Sequence, residues 1–121
     1  DSMQGRSFRA NLRSETPDDW PESMYYHYWT PKEIVRPSHY GVRTRDHKLI
    51  YYYGLVRDDG RNPAECWELY DLNKDPFELR NRYSDPAYRE IIPALKKELK
   101  RVRKACGDTA DPVTTYPPQE D

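Results

Sequence analysis

The amino-acid sequence predicts an α+β domain: a four-stranded, mainly antiparallel sheet with a C-terminal helix packed on one face. Two observations predict this class. Four short runs rich in aromatic and apolar residues are separated by turn-forming residues, a pattern typical of strands. A single run with an apolar repeat of three and four residues follows them, which is typical of an amphipathic helix. Strands first and a helix last is an order found in α+β domains.

The four predicted strands cover residues 23–29, 40–44, 48–53 and 66–72. The Arg45-Asp46 link between the second and third strands is short enough for a hairpin. In the third strand, alternation puts the odd-numbered residues from Leu49 to Tyr53 on one face and the even-numbered residues from Lys48 to Tyr52 on the other. Because both sets contain apolar or aromatic side chains, we expect both faces to be covered along part of their length.

The C-terminal helix is predicted from its start and stop signals as well as from its repeat. Asp85 followed by Pro86 is a standard helix start. Pro93 favours the first turn of a second, longer helix, because a proline in a helix interior costs about 3 kcal/mol. Gly107 is placed to end that helix. Before it, residues 78–81 are expected to form a single helical turn. The apolar stripe of the helix comprises Ile91, Leu95, Leu99, Val102 and Cys106.

Composition divides the chain into an arm at residues 1–22, the α+β subdomain at residues 23–106 and a disordered tail at residues 107–121. Hydrophobic residues make up 36% of the chain, below the roughly 45–50% of globular domains. We therefore expect a thin core that packs against a larger partner. The formal net charge of −1 gives no general attraction to nucleic acid or to an anionic membrane. No apolar run approaches the roughly 18 residues of a membrane-spanning helix.

Residue types that commonly bind metals do not form a metal-binding pattern in this sequence. The three histidines are 12 and 8 residues apart, which matches no zinc motif. Asp71-x-Asn73-x-Asp75 resembles the start of a calcium loop, but Pro76 and Arg82 stand where that loop requires Gly and Glu. These Asp and Asn side chains are instead expected to bond backbone amides in a tight turn. No metal ligand and no cofactor are therefore expected in this chain.

No catalytic nucleophile is predicted. Neither Cys66 nor Cys106 belongs to a Cys-x-x-Cys pair, and neither is followed by Pro-Ser-Arg. Two unpaired thiols are expected, and a single disulfide is the alternative. Glu65, Glu68 and Asp71 are expected to cluster near a strand end without the geometry of a glycosidase carboxylate pair. The chain alone is therefore predicted to be inactive.

His39 and the basic residues of the hairpin are candidate binding groups. His39 follows a Pro-containing loop and opens a strand, where a side chain reaches a neighbouring cleft; a strand-edge histidine bonded to backbone is the alternative. Arg43 and its basic neighbours lie among tyrosines, which suits an anionic sugar. The balanced charge and the lack of an RNA-recognition signature argue against nucleic acid, and a solvated hairpin surface stays open as an alternative. His27 and His47 are expected to be ordinary, partly exposed residues.

Five segments, in order, resemble the C-terminal subdomain of the formylglycine-dependent sulfatases. The most informative segment is residues 67–81, in which Glu68-Leu69-Tyr70-Asp71-Leu72 runs into the Asp75-Pro76 turn. The other four are Met3-Gln4-Gly5-Arg6-Ser7-Phe8, Met24-Tyr25-Tyr26-His27-Tyr28-Trp29, His39-Tyr40-Gly41-Val42-Arg43-Thr44 and Lys48-Leu49-Ile50-Tyr51. The chain is most similar to the branch that includes N-acetylglucosamine-6-sulfatase-like enzymes acting on glycosaminoglycans and related sulfated glycans.

The resemblance implies a role for the chain and a missing partner. In such enzymes a large N-terminal domain carries a Cys-x-Pro-Ser-Arg segment, whose cysteine becomes formylglycine, and a calcium site; both are expected outside this chain. The smaller subdomain borders the substrate cleft. By similarity, His39 is expected to contact sugar or sulfate, followed by Arg36 and Arg43, and a structural salt link is the alternative for Arg43. The implied partners are the N-terminal catalytic domain and a sulfated carbohydrate, in a secreted or periplasmic enzyme of the alkaline phosphatase superfamily.

Two other functions stay open on the sequence alone. The tyrosines and arginines around the hairpin would also suit a free-standing glycan-binding or anion-binding module. A third interpretation is a purely structural subdomain, whose exposed aromatic face serves only to dock the catalytic domain. Saturable binding of a sulfated glycan by the chain alone would favour the module. Unchanged kinetics after substitution of His39, Arg36 and Arg43 in a complete enzyme would favour the structural role.

Overall fold

The computed structural model describes residues 5–29, 38–53 and 66–109 of the chain. Two 3-10 turns lie within these ranges, at Asn11–Arg13 and Pro86–Tyr88. The strands predicted from the sequence are confirmed, with ends that differ by one or two residues. The described strands and helix are β1 (Ser23–Tyr28), β2 (Ser38–Thr44), β3 (His47–Tyr53), β4 (Cys66–Asp71) and α1 (Ile92–Ala105).

The strands form one sheet in the order β1-β2-β3-β4, and each described strand is antiparallel to its neighbours. One row of side chains crosses all four strands. Tyr25 lies opposite Val42, which lies opposite Leu49, and Leu49 lies opposite Leu69. The last three residues of this row have no exposed surface. The row is the centre of the core, and the architecture confirms the predicted α+β class.

The pleat gives the sheet two faces with different surroundings. On the first, which we call the helix face, Leu95, Leu99 and Val102 of α1 pack with the central row in one apolar cluster. The second, which we call the outer face, carries the alternate residues of each strand. They are Met24, Tyr26, Tyr28, His39, Gly41, Arg43, Lys48, Ile50, Tyr52, Cys66, Glu68 and Tyr70. Ile50 is buried on this outer face, so both faces are covered along part of their length, as predicted.

The helix α1 begins and ends where its proline and glycine predict. Pro93 lies in the first turn, where a missing N–H leaves no hydrogen bond unmade. Gly107 has a φ of 75°, the left-handed conformation that commonly follows a helix. Cys106 is exposed, so the predicted apolar stripe is wrong at this position. The reason is that the helix ends at Ala105, one residue before the repeat returns to the buried side.

Two aspartates hold the local turns that follow β4. Asp71 Oδ1 accepts the backbone N–H groups of Asn73 and Lys74, each at 3.1 Å, which is the local role predicted for this motif. Asp85 Oδ1 accepts the N–H of Ala87 at 3.0 Å and begins the short 3-10 turn ahead of α1. These bonds give hydrogen-bond partners to backbone amides that would otherwise lack them.

The helical turn expected at residues 78–81 is not present, and the reason lies in its first residue. Glu78 has a φ of 55°, in the left-handed region, which cannot continue a right-handed helix. Asp75 Oδ2 accepts the N–H of Arg80 at 2.8 Å and closes the loop through a side chain. The sequence prediction of a helical turn here is therefore wrong.

Candidate functional site

His39 lies on the outer face between two tyrosines. It is the second residue of β2 and pairs with Tyr28 on β1 and with Tyr52 on β3. The ring of Tyr28 is stacked on the imidazole, with centroids 5.3 Å apart and 29° between the planes. The ring of Tyr52 is tilted by 41° with its centroid at 5.0 Å. We call this half-buried set of three rings, Tyr28, His39 and Tyr52, the aromatic clamp.

A carboxylate on β4 adjoins the aromatic clamp. The hydroxyl of Tyr70 donates to Glu68 Oε2 at 2.9 Å. Burial, followed by the charge of Glu68 and a hydrogen bond to it, raises the pKa of Tyr52 to about 12. Burial and the same carboxylate also raise the pKa of Tyr70. Both phenols therefore stay protonated in neutral solution and serve as hydrogen-bond donors to Glu68.

Arg43 lies on the same face as His39 but at the other end of β2. The two residues are four positions apart along the strand, which separates their Cα atoms by about 13 Å. Arg43 Nη1 lies 3.4 Å from Glu78 Oε1, and Lys48 Nζ lies 2.5 Å from Glu78 Oε2. The structure thus does not bring the two predicted contacts together, and it shows Arg43 in an ion pair. Arg36, the third predicted contact, lies outside the described residues.

Between His39 and Arg43 on the outer face, the side chain of Tyr26 lies over Gly41 of β2. Tyr26 pairs with Gly41 across β1 and β2. A Cβ atom added to Gly41 would lie 2.5 Å from the Tyr26 hydroxyl oxygen and 2.6 Å from the backbone oxygen of Leu49. Real Cβ atoms do not approach other atoms so closely, so this position requires glycine. The ring of Tyr26 covers the backbone that a side chain at residue 41 would otherwise cover.

A part-buried polar network, which the sequence did not predict, lies at the helix side of β1. Its centre is Asp108, just after α1. Asp108 Oδ2 lies 2.6 Å from His27 Nδ1 and also accepts from the hydroxyl of Tyr25, while Asp108 Oδ1 accepts from Arg103 Nη2 at 3.2 Å. His27 Nε2 is bonded to the hydroxyl of Tyr53. We call this group the Asp108 network. The residue His27 is half-buried, as expected, but its side chain is only 4% exposed and belongs to a network that the sequence does not predict.

The hydrogen bonds fix the protonation of the Asp108 network. Burial alone would raise the pKa of Asp108, but hydrogen bonds from Tyr25, Arg103 and His27 outweigh it and hold the pKa below its ordinary value. An ionised carboxylate only accepts, so the neutral ring of His27 carries its proton on Nδ1, and Nε2 accepts from Tyr53. Burial lowers the pKa of His27, although the hydrogen bond to Asp108 opposes the change.

The local sequence pattern does not predict the Asp108 network, because its partners are far apart in the chain. His27 and Asp108 are 81 residues apart. The one available signal was strand alternation, which places His27 on the same side as Tyr25 and hence toward the helix. Asp108 lies in the segment 107–121, for which the sequence predicts a disordered tail, yet its side chain contacts Tyr25 and His27 of the sheet.

Metal-binding clusters and membrane-spanning helices are both absent from the described ranges. Those residues contain no group of three or more His, Cys, Asp or Glu side chains that could hold a metal ion. They also contain no helix long and apolar enough to cross a membrane. Cys66 on β4 and Cys106 after α1 are free thiols. The outer face of the sheet offers the imidazole of His39, the phenols of its tyrosines and the guanidinium of Arg43 to a ligand.

Known proteins resemble this chain in sequence and in fold. Residues 1–105 match the model of the family "N-sulphoglucosamine sulphohydrolase, C-terminal". The chain is 36% identical over 109 residues, 88% of its length, to the N-acetylglucosamine-6-O-sulfatase of Bacteroides thetaiotaomicron. It is 29% identical over 119 residues, 96% of its length, to the N-sulphoglucosamine sulphohydrolase of Homo sapiens. The solved structure of BT4656 in complex with its substrate, D-glucosamine-2-N,6-O-disulfate, covers 93% of the chain at 35% identity with a TM-score of 0.75.

The sheet, the helix laid on it and these matches define the C-terminal domain of a sulfatase. The chain belongs to the N-sulphoglucosamine sulphohydrolase C-terminal family. The resemblance predicted from the five ordered segments is therefore confirmed. The chain spans 18% and 21% of the lengths of the two curated relatives and 22% of the BT4656 chain.

Proposed function

We propose that this chain forms the C-terminal, substrate-facing part of a sulfatase that hydrolyses sulfate esters of carbohydrates. The observation that carries the proposal is the match of residues 1–105 to a family of sulfatase C-terminal domains. The names of its relatives point to sulfated glucosamine as the class of substrate. Because the chain spans 18% to 22% of those relatives, the rest of the enzyme would be a larger N-terminal catalytic domain.

In this proposal the bond-breaking chemistry belongs to the N-terminal domain. A formylglycine and a calcium ion there would supply the nucleophile and the binding of the sulfate group. Cys66 is followed by Trp-Glu and Cys106 by Gly-Asp, so neither fits the Cys-x-Pro-Ser-Arg segment from which formylglycine forms. The contribution of this chain is recognition of the sugar and its sulfate.

His39 is the best candidate for that recognition. An imidazole N–H donates to a sulfate or hydroxyl oxygen, and the aromatic clamp holds the ring in place. Tyr28 is 39% exposed beside it and offers a flat apolar surface to a sugar ring. Arg36 would add a cation from the segment that enters β2. Arg43 would have to exchange Glu78 for a sulfate oxygen in order to contribute.

The other end of the outer face suits contact with the N-terminal domain. Met24, Phe77 and Leu79 are 57%, 80% and 79% exposed. Phe77 and Leu79 are the chain neighbours of Glu78, the partner of Arg43, so the ion pair at this end of the sheet lies beside exposed apolar residues. Exposed large apolar side chains grouped in this way are typical of an interface. Docking here would leave the aromatic clamp at the opposite end of the sheet.

The test is a sulfatase assay on the complete protein that contains this chain, on the same protein with the chain deleted, and on the chain alone. Glucosamine derivatives sulfated at the 2-N or the 6-O position are the substrates. The proposal expects activity in the complete protein only. Activity in the chain alone, or full activity after its deletion, would contradict the proposal.

Two further measurements separate the alternatives. Saturable binding of a sulfated glucosamine oligosaccharide by the chain alone, with no sulfatase in the complete protein, would indicate a free-standing binding module. A complete sulfatase that is insensitive to changes at His39 would indicate a purely structural subdomain. Cell fractionation of the complete protein tests the secreted or periplasmic location that the resemblance supports.

A further inference from the structure

One side of the aromatic clamp is itself anchored. Tyr52 contacts His39 through its ring and Glu68 through a hydrogen bond. Tyr70 donates to the same carboxylate at 2.9 Å, but it pairs with Lys48 in the sheet and not with His39. The two tyrosines therefore lie on the same face and both donate a phenol hydrogen bond to Glu68. Of the two, only Tyr52 contacts the imidazole of His39.

We propose that Tyr52 is a positioning residue for His39, with Glu68 fixing Tyr52 and Tyr28 closing the other side of the imidazole. This inference rests on the proposed function, in which His39 contacts the sulfated sugar. The physical reason is conformational. A histidine near a strand end has several side-chain rotamers, and only a ring held in one of them presents its N–H to a ligand at no further cost in entropy.

The size of the expected effect follows from the ring contacts. Aromatic pairs in this geometry change an equilibrium by about threefold to tenfold each. Loss of the Tyr52 ring should therefore weaken substrate binding by about that factor. Because the contact acts in binding the sugar and not in breaking the sulfate ester, the loss should appear in KM while kcat changes little.

The first experiment uses this chain alone and observes His39 directly by NMR. The ring protons of His39 are assigned by their disappearance in His39→Gln and are followed at a fixed pH of about 8.5, above the ordinary pKa of histidine. We expect Tyr52→Leu to shift these signals strongly, Tyr52→Phe to leave them near their original positions, and Tyr70→Leu to have little effect. Equal shifts in Tyr52→Leu and Tyr70→Leu would overturn the positioning role.

The second experiment measures kinetics in the complete sulfatase. Tyr52→Leu should raise KM by about threefold to tenfold with kcat within about twofold, and Tyr52→Phe should restore most of the loss. Tyr70→Leu is the matched control and should leave KM unchanged. If Tyr52→Leu does not fold, Tyr28→Leu removes the opposite side of the same clamp. Because Tyr28 is also a candidate sugar contact, its readout is the shift of the His39 ring protons in the chain and not KM.

The two experiments distinguish failure of the proposed substrate contact from failure of the proposed positioning of His39. If His39→Ala leaves the kinetics of the complete enzyme unchanged, the proposed substrate contact is overturned, and the functional part of this inference falls with it. If the His39 resonances are insensitive to Tyr52→Leu, positioning by Tyr52 is overturned even when His39 itself proves essential. A change in kcat with constant KM would likewise contradict a role in binding.

Discussion

Replacing Asp108 with asparagine should destabilise the fold far more than an ordinary surface substitution would. The carboxylate accepts from Tyr25, His27 and Arg103, and its side chain is 16% exposed. An asparagine keeps the shape, but it loses the charge and replaces one acceptor oxygen with a donor NH2 group. At least one of the three donors then faces another donor.

The size of the expected destabilisation follows from how far Asp108 and its charged partner Arg103 are buried. A hydrogen bond to a charged group contributes about 1.5–3 kcal/mol, and breaking a fully buried ion pair costs about 3–5 kcal/mol. Since Asp108 keeps a little exposure, we expect a loss of about 2–4 kcal/mol. That loss is large beside the roughly 5–15 kcal/mol by which small domains are stable. With a slope of about 1–3 kcal/mol per molar urea, the unfolding midpoint should fall by about 0.7–4 M.

The assay is urea unfolding of the chain followed by circular dichroism, with Asp19→Asn as the matched control. Asp19 also pairs with an arginine, Arg6, but its side chain is 73% exposed, and exposed pairs contribute about 0–1 kcal/mol. Asp19→Asn should therefore leave the urea midpoint nearly unchanged. Equal midpoints for Asp108→Asn and Asp19→Asn would refute the reasoning, because they would show that Asp108 is not held in a part-buried network in solution.

Two further predictions concern stability. Burial lowers the pKa of His27 in the folded chain below 6.5, so the unfolded chain binds more protons than the folded chain just below that pH. The stabilisation from neutral His27 is therefore complete above pH 6.5 and is lost as the pH falls toward the folded-state pKa. The free energy of unfolding should therefore decline below pH 6.5, and His27→Gln should flatten this decline; an unchanged slope would contradict the assignment. Gly41→Ala should lower the free energy of unfolding by about 1–3 kcal/mol, because the new methyl group meets Tyr26 and the Leu49 backbone. The control is Gly5→Ala, whose methyl group has no atom within 4 Å and should change the urea midpoint little. Equal midpoints for the two variants would show that the Tyr26 ring does not lie over Gly41.

The elements that local chemistry determines could be predicted from the sequence. Tyr-rich alternation predicted the strands, and Pro93 predicted the start of α1 because a first turn tolerates a missing N–H. Predictions failed where a single residue departs from its neighbours' pattern. Glu78 takes a left-handed conformation, which glycine and asparagine adopt readily and glutamate does not, so the residue type gives no sign of it. Cys106 continues the apolar repeat on paper, but the helix has already ended.

Candidate site residues were predictable only as far as their strand. Alternation places His39 and Arg43 on one face of β2. The partners that give each residue its character come from other elements: Tyr28 and Tyr52 for His39, and Glu78 for Arg43. Such contacts depend on register and loop path, which a single sequence does not encode locally. The same holds for the Asp108 network, whose members meet only after the helix has packed on the sheet.

The most direct test of a substrate-facing role is the kinetics of His39→Ala in the complete sulfatase, measured on glucosamine sulfated at the 2-N and 6-O positions. Loss of a hydrogen bond to a charged sulfate, about 1.5–3 kcal/mol, should reduce kcat/KM by about 10-fold to 100-fold. His47→Ala, a change to a histidine on the other face of the sheet, is the control and should leave kcat/KM within about twofold. Equal values for the two variants would contradict the assignment of this chain to substrate recognition.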